Sequence, residues 1–311
     1  MPVCPKKLRD QFVHRLTTRF AANVPDFVAL RAMVEERGGR FHNDHGAIRT
    51  ADPEVAQLIQ RAARVIGLRK ELDYRFPDKK LRSFDLQVVG EDASQFKIFV
   101  SEVDLDAFPA DVAALVREDT EAQAAAVDHG TFLAIIERAE AEGCLPEADA
   151  ERFLDHFVDV LMRRNGPPIR RSTLEAVAAV SGQAASALAL GPDLNHVTID
   201  VYAAGYESIE AMADAMRARG FAMLDGIQGD AGGPLRQTAT LAATMDTPVL
   251  EDDGRIGVAK AEKQFVEIIE RNQAVCADGA RCWTQDGRPL IFRNFLAANA
   301  TNIFDAASMA S

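Results

Sequence analysis

The same order of elements is written twice in this chain, once on each side of a long helical stretch. From residue 40, "RFHNDHGAIRT" reads as a strand. A helix follows from about Pro53, with Val55, Leu58, Ile59, Ala62 and Val65 at helical spacing, and then come the extended segments "SFDLQVV" and "QFKIFVSEV". The order returns after residue 190, with "LNHVTIDVY" as a strand, "ESIEAMADAMRARG" as a helix stopped by Gly220, and "RQTATLAATM" and "KQFVEIIERN" as strands. Short residue matches support the repeat. "HGAIR" from His45 and "HVTID" from His196 share a histidine and, three later, an isoleucine, and "QFKIF" and "QFVEI" share Gln-Phe. Two copies of a strand-helix-three-strand module are therefore expected.

The rest of the chain is read around that repeat. Residues 1–39 read as an N-terminal helical segment, with Phe27, Leu30, Met33 and Val34 as its apolar stripe and Gly38-Gly39 as its stop. Residues 40–105 form the first βαβββ module and 106–190 an Ala/Glu/Leu-rich helical insert broken by "NGPP". Residues 191–275 form the second module, and 276–311 a C-terminal segment that closes the site. The predicted class is α+β, with two modules making a half-open barrel around a metal site.

Composition narrows the function. The 311 residues are 48% hydrophobic, enough to fill a sizeable core. A formal charge of −12, with no Lys/Arg block longer than a pair, disfavours a nucleic-acid surface, which needs a clustered cationic footprint. No secretory apolar region and no membrane-length apolar window are visible, so a soluble cytoplasmic protein without nucleic-acid or membrane partners is expected. The cysteines, Cys4, Cys144, Cys276 and Cys282, have no zinc spacing and are expected as ordinary reduced thiols.

The chemistry-bearing residues follow from the repeat. On a strand alternate residues share a face, so His45, Ala47 and Arg49 should point together and Asp44, Gly46 and Ile48 the other way. His196 is the expected counterpart of His45. Glu267 lies on the last strand of the second module, and the short matches align it with Ile98. Two histidines and one carboxylate facing one cavity suit non-haem Fe(II) and oxygen chemistry, whereas the plain alternative is a satisfied half-buried histidine at each place. Arg49, if buried, needs an anion. Four strand residues span about 13 Å, a gap that a short dicarboxylate fits, and an internal ion pair with Glu102, Asp85 or Glu270 is the competing reading. His42, out of phase with His45, is read as framework, and His129 as structural. Ile98 and Phe99 are candidate walls, with core packing the simpler role for Phe99.

The motifs "HNDHGAIRT", "LNHVTIDVY", "QFVEIIERN" and "IFRNFLAANATNIFDA" resemble the 2-oxoadipate dioxygenase/decarboxylase family, also called hydroxyglutarate synthase, of the vicinal oxygen chelate superfamily. The similarity runs in order from about residue 40 to 307. "FVEIIER" is also similar to the last iron-binding strand of 4-hydroxyphenylpyruvate dioxygenase, which favours Glu267 over Glu270. The resemblance implies an Fe(II) site of His45, His196 and Glu267, with another divalent metal as the alternative occupant. It further implies that Arg49 holds the distal carboxylate of a 2-oxo acid and that backbone near Ala298 also holds substrate. The implied reaction takes 2-oxoadipate and O2 to 2-hydroxyglutarate and CO2. The alternatives are a lyase, isomerase or hydrolase of the same superfamily using another metal without O2, and a non-catalytic small-molecule binding protein.

Overall fold

A computed structural model describes residues 2–90 and 92–303, apart from the side chains of residues 262, 263 and 300–302. The last residues of the C-terminal segment, 304–311, lie outside the described residues.

Two helices, α1 (Pro5–Asn23) and α2 (Pro25–Glu36), precede the first module. That module is β1 (Asn43–Thr50), α3 (Pro53–Val65), β2 (Arg69–Phe76), β3 (Leu81–Gln87) and β4 (Lys97–Val103). Asp52 caps α3 by accepting from the Glu54 and Val55 N–H groups, and Pro53 supplies a first residue that needs no hydrogen bond. Five helices follow: α4 (Ala110–Ala124), α5 (Gly130–Glu142), α6 (Glu147–His156), α7 (Arg171–Ala178) and α8 (Gly182–Leu190). They are interrupted by the two-residue strand β5 (Ile169–Arg170), which pairs with a strand of the second module.

The second module is β6 (Leu194–Asp200), α9 (Ile209–Ala218), β7 (Leu235–Ala239), β8 (Ala243–Leu250) and β9 (Ile256–Arg271), and α10 (Ala297–Ile303) ends the described chain. Both modules hold a strand that the hydrophobic pattern did not separate. β2, "RKELDYRF", is charged along its length, because it is an edge strand that buries only Tyr74 and Phe76. "RQTATLAATM" is two strands, β7 and β8, broken at residues 240–242.

One mixed sheet of nine strands, in the order β2-β3-β4-β1-β6-β9-β8-β5 with β7 also on β9, curls into a half-open barrel. Its centre has internal symmetry. β1 runs parallel to β4 and β6 parallel to β9, while β1 and β6 meet antiparallel. The ladder corrects the expected residue match. Ala47, two after His45, stands opposite Phe99, and Thr198, two after His196, stands opposite Glu267. The counterpart of Glu267 is thus Phe99, not Ile98, a one-residue slip that moves a side chain to the other face.

Alternation divides the core. Ile48, Ile98 and Val100 pack with Val197, Ile199, Val266 and Ile268 under α1, α2, α3 and α9. Ala47 and Phe99 face the other way, with Tyr74 and Phe76 and the helices α4, α7 and α8. The expectation of reduced thiols is overturned: Cys4 bonds Cys144 and Cys276 bonds Cys282. The first pair is invisible in spacing because it joins residues 140 apart, across a Val3–Leu145 bridge between the N-terminus and the insert. Among the described residues no helix is long and apolar enough to cross a membrane.

Candidate metal centre

His45 on β1, His196 on β6 and Glu267 on β9 each offer a ligand atom, and these atoms lie within 4.8 Å of one another. All three residues are buried. The adjacency follows from the ladder, since Thr198 of β6 pairs with both His45 and Glu267.

The imidazoles are oriented from behind. His45 Nδ1 lies 2.8 Å from Asp44 Oδ1 and His196 Nδ1 lies 2.9 Å from Asn195 Oδ1. Both partners accept, so each Nδ1 carries the proton and each Nε2 keeps a lone pair. Those Nε2 atoms face the carboxylate, at 3.8 Å from His45 to Oε1 and 3.5 Å from His196 to Oε2. Among the described residues Glu267 Oε1 is buried with no hydrogen-bond partner. The lone pairs of two neutral imidazoles and a buried carboxyl converge on one point, an arrangement that a divalent cation in place of the Glu267 proton would complete. Thr198 Oγ1, 3.0 Å from His45 Nε2, borders the same point.

Burial sets the proton balance. It lowers the His45 pKa to about 4, against the pull of Asp44. It takes His196 well below the ordinary imidazole value, with His45 and Arg49 adding to the effect. It pushes Glu267 up to about 8, and Asp44 repels in the same direction. Burial would raise Asp44 as well, but Arg271 and Lys97 hold it well below the usual carboxylate range. Both imidazoles are therefore neutral near pH 7, as metal ligation requires.

Alternation placed Asp44 on the face away from His45, and the structure differs. The β1·β6 register shifts between Asn43 and His45, so two β1 residues match one step on β6. Such a bulge re-aims a side chain. Asp44 consequently accepts from His45, from Arg271 Nε and Nη2 at 2.7 and 2.8 Å, and from Lys97 Nζ at 3.3 Å.

Arg49 is buried and shares the electrostatic field of His196, and burial lowers its pKa to about 10, leaving it cationic at neutral pH. The acids expected to compete for it have other partners: Glu102 meets Arg82, Glu270 meets Arg236, and Asp85 accepts from Gln87 and from the Leu72 N–H. Ala298 sits on α10 with its side chain exposed, beside Asn299, whose amide donates to Leu235 O at 2.8 Å. The residue of this segment that reaches the triad is Phe295, which no sequence argument singled out. Its ring lies edge-on to His45 at 4.8 Å and against Phe99 at 4.9 Å. Of the missed residues, Thr198 was recoverable, being two positions from His196 on the same strand face. Asp44 and Phe295 were not, because a bulge and a long return of the chain place them.

Comparison with known proteins gives a consistent picture. The sequence profile of the 2-oxoadipate dioxygenase/decarboxylase family matches residues 12–286. No curated protein matches the sequence. Among solved structures the chain resembles a protein of Ralstonia eutropha JMP134 described as belonging to the glyoxalase superfamily, with TM-score 0.78 and 20% identity over 87% of this chain and 85% of that one. It also resembles the hydroxyglutarate synthase of Oryza sativa in complex with 2-oxoadipate, with TM-score 0.71 and 17% identity over 98% and 93% of the two chains. The Pseudomonas putida hydroxyglutarate synthase, also in complex with 2-oxoadipate, gives TM-score 0.69 and 22% identity over 89% and 67%. At these identities the structural likeness is one of fold.

Proposed function

The chain belongs to the 2-oxoadipate dioxygenase/decarboxylase family, and from that premise we propose that it binds Fe(II) between His45, His196 and Glu267 and converts 2-oxoadipate and O2 to 2-hydroxyglutarate and CO2. The observation that carries the reading is the buried triad with its unsatisfied carboxylate oxygen. A bound ferrous ion supplies Lewis acidity toward a chelating 2-oxo acid and electrons toward dioxygen.

The remaining work falls to the chain's own residues. Asp44 and Asn195 fix the imidazole tautomers, so that Nε2 of each ring is the ligand atom. Glu267 gives up its proton as it becomes a ligand. Arg49, cationic and buried, receives the distal carboxylate and sets the reach of the substrate, with backbone near Ala298 as a second hold. Phe99 and Phe295 form an apolar wall beside His45 that excludes water and stray reductants.

The test is oxygen consumption by anaerobically iron-loaded protein after addition of 2-oxoadipate, with products identified by mass spectrometry. Uptake equal to the CO2 and 2-hydroxyglutarate formed is expected, and none is expected from His45→Ala or Glu267→Ala. Ordinary uptake by either variant would remove the triad from the mechanism. Iron bound without uptake would leave the metal site standing and remove either 2-oxoadipate as the substrate or oxygen chemistry as the reaction class.

A further inference from the structure

Arg271 is the last residue of β9, four positions beyond Glu267 and on the same strand face. Its guanidinium is buried and every side of it is used. Nε and Nη2 form a fork on Asp44, at 2.7 Å to Oδ2 and 2.8 Å to Oδ1. Nη1 donates to two main-chain carbonyls of the C-terminal segment, Phe292 O at 3.1 Å and Asn294 O at 2.9 Å. The cation also lies 5.3 Å from the centre of the Phe295 ring. Asp44 Oδ1, held by Nη2, is the atom that receives His45 Nδ1, and Phe295 is the ring set edge-on against that same imidazole. Two routes therefore lead from one guanidinium to His45: one through Asp44 to its back, one through the segment 292–295 to its face.

We propose that Arg271 is a positioning residue that joins the orientation of His45 to the docking of the C-terminal segment over the metal centre. The proposal rests on the metal reading given above. Only a planar fork with a third nitrogen can serve both partners at once, since a lysine in its place keeps the charge but not the geometry. Lys97 does not substitute for it, because its ammonium is shared between Asp44 and the carbonyls of Ala93 and Gln95. Coupling through a shared residue is reciprocal: whatever fixes His45 must also favour the docked segment, and the reverse.

The experiment uses Co(II) as the probe and two readouts, its dissociation constant from the absorption spectrum of the bound ion and the rate of tryptic cleavage after Arg293. The Arg293 side chain is pinned to Gln87 Oε1 at 2.9 Å and to Val88 O at 3.0 Å, so cleavage there reports local opening of the segment. In the wild-type protein Co(II) should slow that cleavage several-fold. Arg271→Lys should raise the Co(II) dissociation constant by up to about 10-fold, the low end of the roughly 10- to 100-fold cost of losing a ligand's own partner, because Asp44 stays in place behind His45. It should also speed cleavage after Arg293 and remove the protection by Co(II), with the circular dichroism unchanged. Unchanged affinity or unchanged cleavage in Arg271→Lys overturns the proposal. Should that variant not fold, the wild-type comparison decides, and equal cleavage with and without Co(II) overturns it. Wild-type protein that takes up no Co(II) fails the metal reading itself, and the proposal with it, which separates the two failures.

Discussion

Glu267 couples metal uptake to pH. Its pKa of about 8 means that at pH 7 most of the metal-free protein carries the proton, whereas a ligand carboxylate does not. Binding of a divalent cation at pH 7 should therefore release about one proton, and affinity should rise with pH until about 8. His45, near 4, is already neutral and adds none. Calorimetry in buffers of different ionisation enthalpy measures the number, and no release would mean that Glu267 is ionised in the free protein. The sign for stability is opposite. A carboxyl whose folded pKa exceeds its ordinary 4.5 helps the metal-free fold fully below that value and loses the contribution as pH rises through 8. Arg49 gives a second prediction at this scale. Arg49→Ala should cost about 1.5–3 kcal/mol of binding to a 2-oxo dicarboxylate, or roughly 10- to 100-fold in KM. Monocarboxylic 2-oxo acids should be little changed, and equal losses for both would assign the arginine another task.

Among the elements, strands read more easily than their partners. "HGAIRT", "HVTID" and "FVEII" alternate apolar with polar residues and form β1, β6 and β9, each buried on both faces because the polar face lines the enclosed site. β2 lacks that alternation because water, not a second layer, covers most of it. The slip from Phe99 to Ile98 has a similar origin, since a two-residue identity does not fix a register that hydrogen bonding to β1 sets. In the helical insert, α6 presents His156 to His129, Nε2 to Nδ1 at 2.8 Å, with its ring stacked on Phe132 at 4.4 Å. Burial, then the neighbouring His129, lowers the His156 pKa to about 4. The unfolded chain binds that proton near 6.5 and the native one only near 4, so stability should fall as pH drops from 6.5 towards 4. Urea midpoints at pH 7 and pH 5 measure the slope. His156→Phe, which keeps the stacking, should reduce it, His45 and His196 supplying the same sign of slope through their own lowered pKa values, and an unaltered slope would place the acid sensitivity elsewhere.

At the scale of the whole molecule, one covalent tie and one salt-bridged hub hold distant parts of the chain together. Cys4–Cys144 closes a loop of 140 residues between the first helix and the insert. Chain entropy assigns such a closure about 4–5 kcal/mol. Cys144→Ser should accordingly lower the thermal midpoint by several degrees, and an equal midpoint with and without reductant in the wild type would show that the pair is not formed. Paired cysteines are rare in a reducing cytosol, so they lend no support to the cytoplasmic address read from the N-terminus. The hub is Arg271, whose partners lie 227 residues back at Asp44 and about twenty residues ahead at Phe292 and Asn294.

Local pattern determined the type of most elements and their repeated order, because alternation, helical spacing and capping residues act between near neighbours and are legible in any short window. The same logic placed His45, Ala47 and Arg49 on one strand face. Tertiary structure decided the rest. The bulge that turns Asp44 onto His45, the register that sets Phe99 opposite Ala47, the return of Phe295 over the imidazole and the Cys4–Cys144 bond are all fixed by groups far apart in the chain. No residue type announces such contacts, since each depends on the free energy of the assembled sheet and not on the segment that carries it.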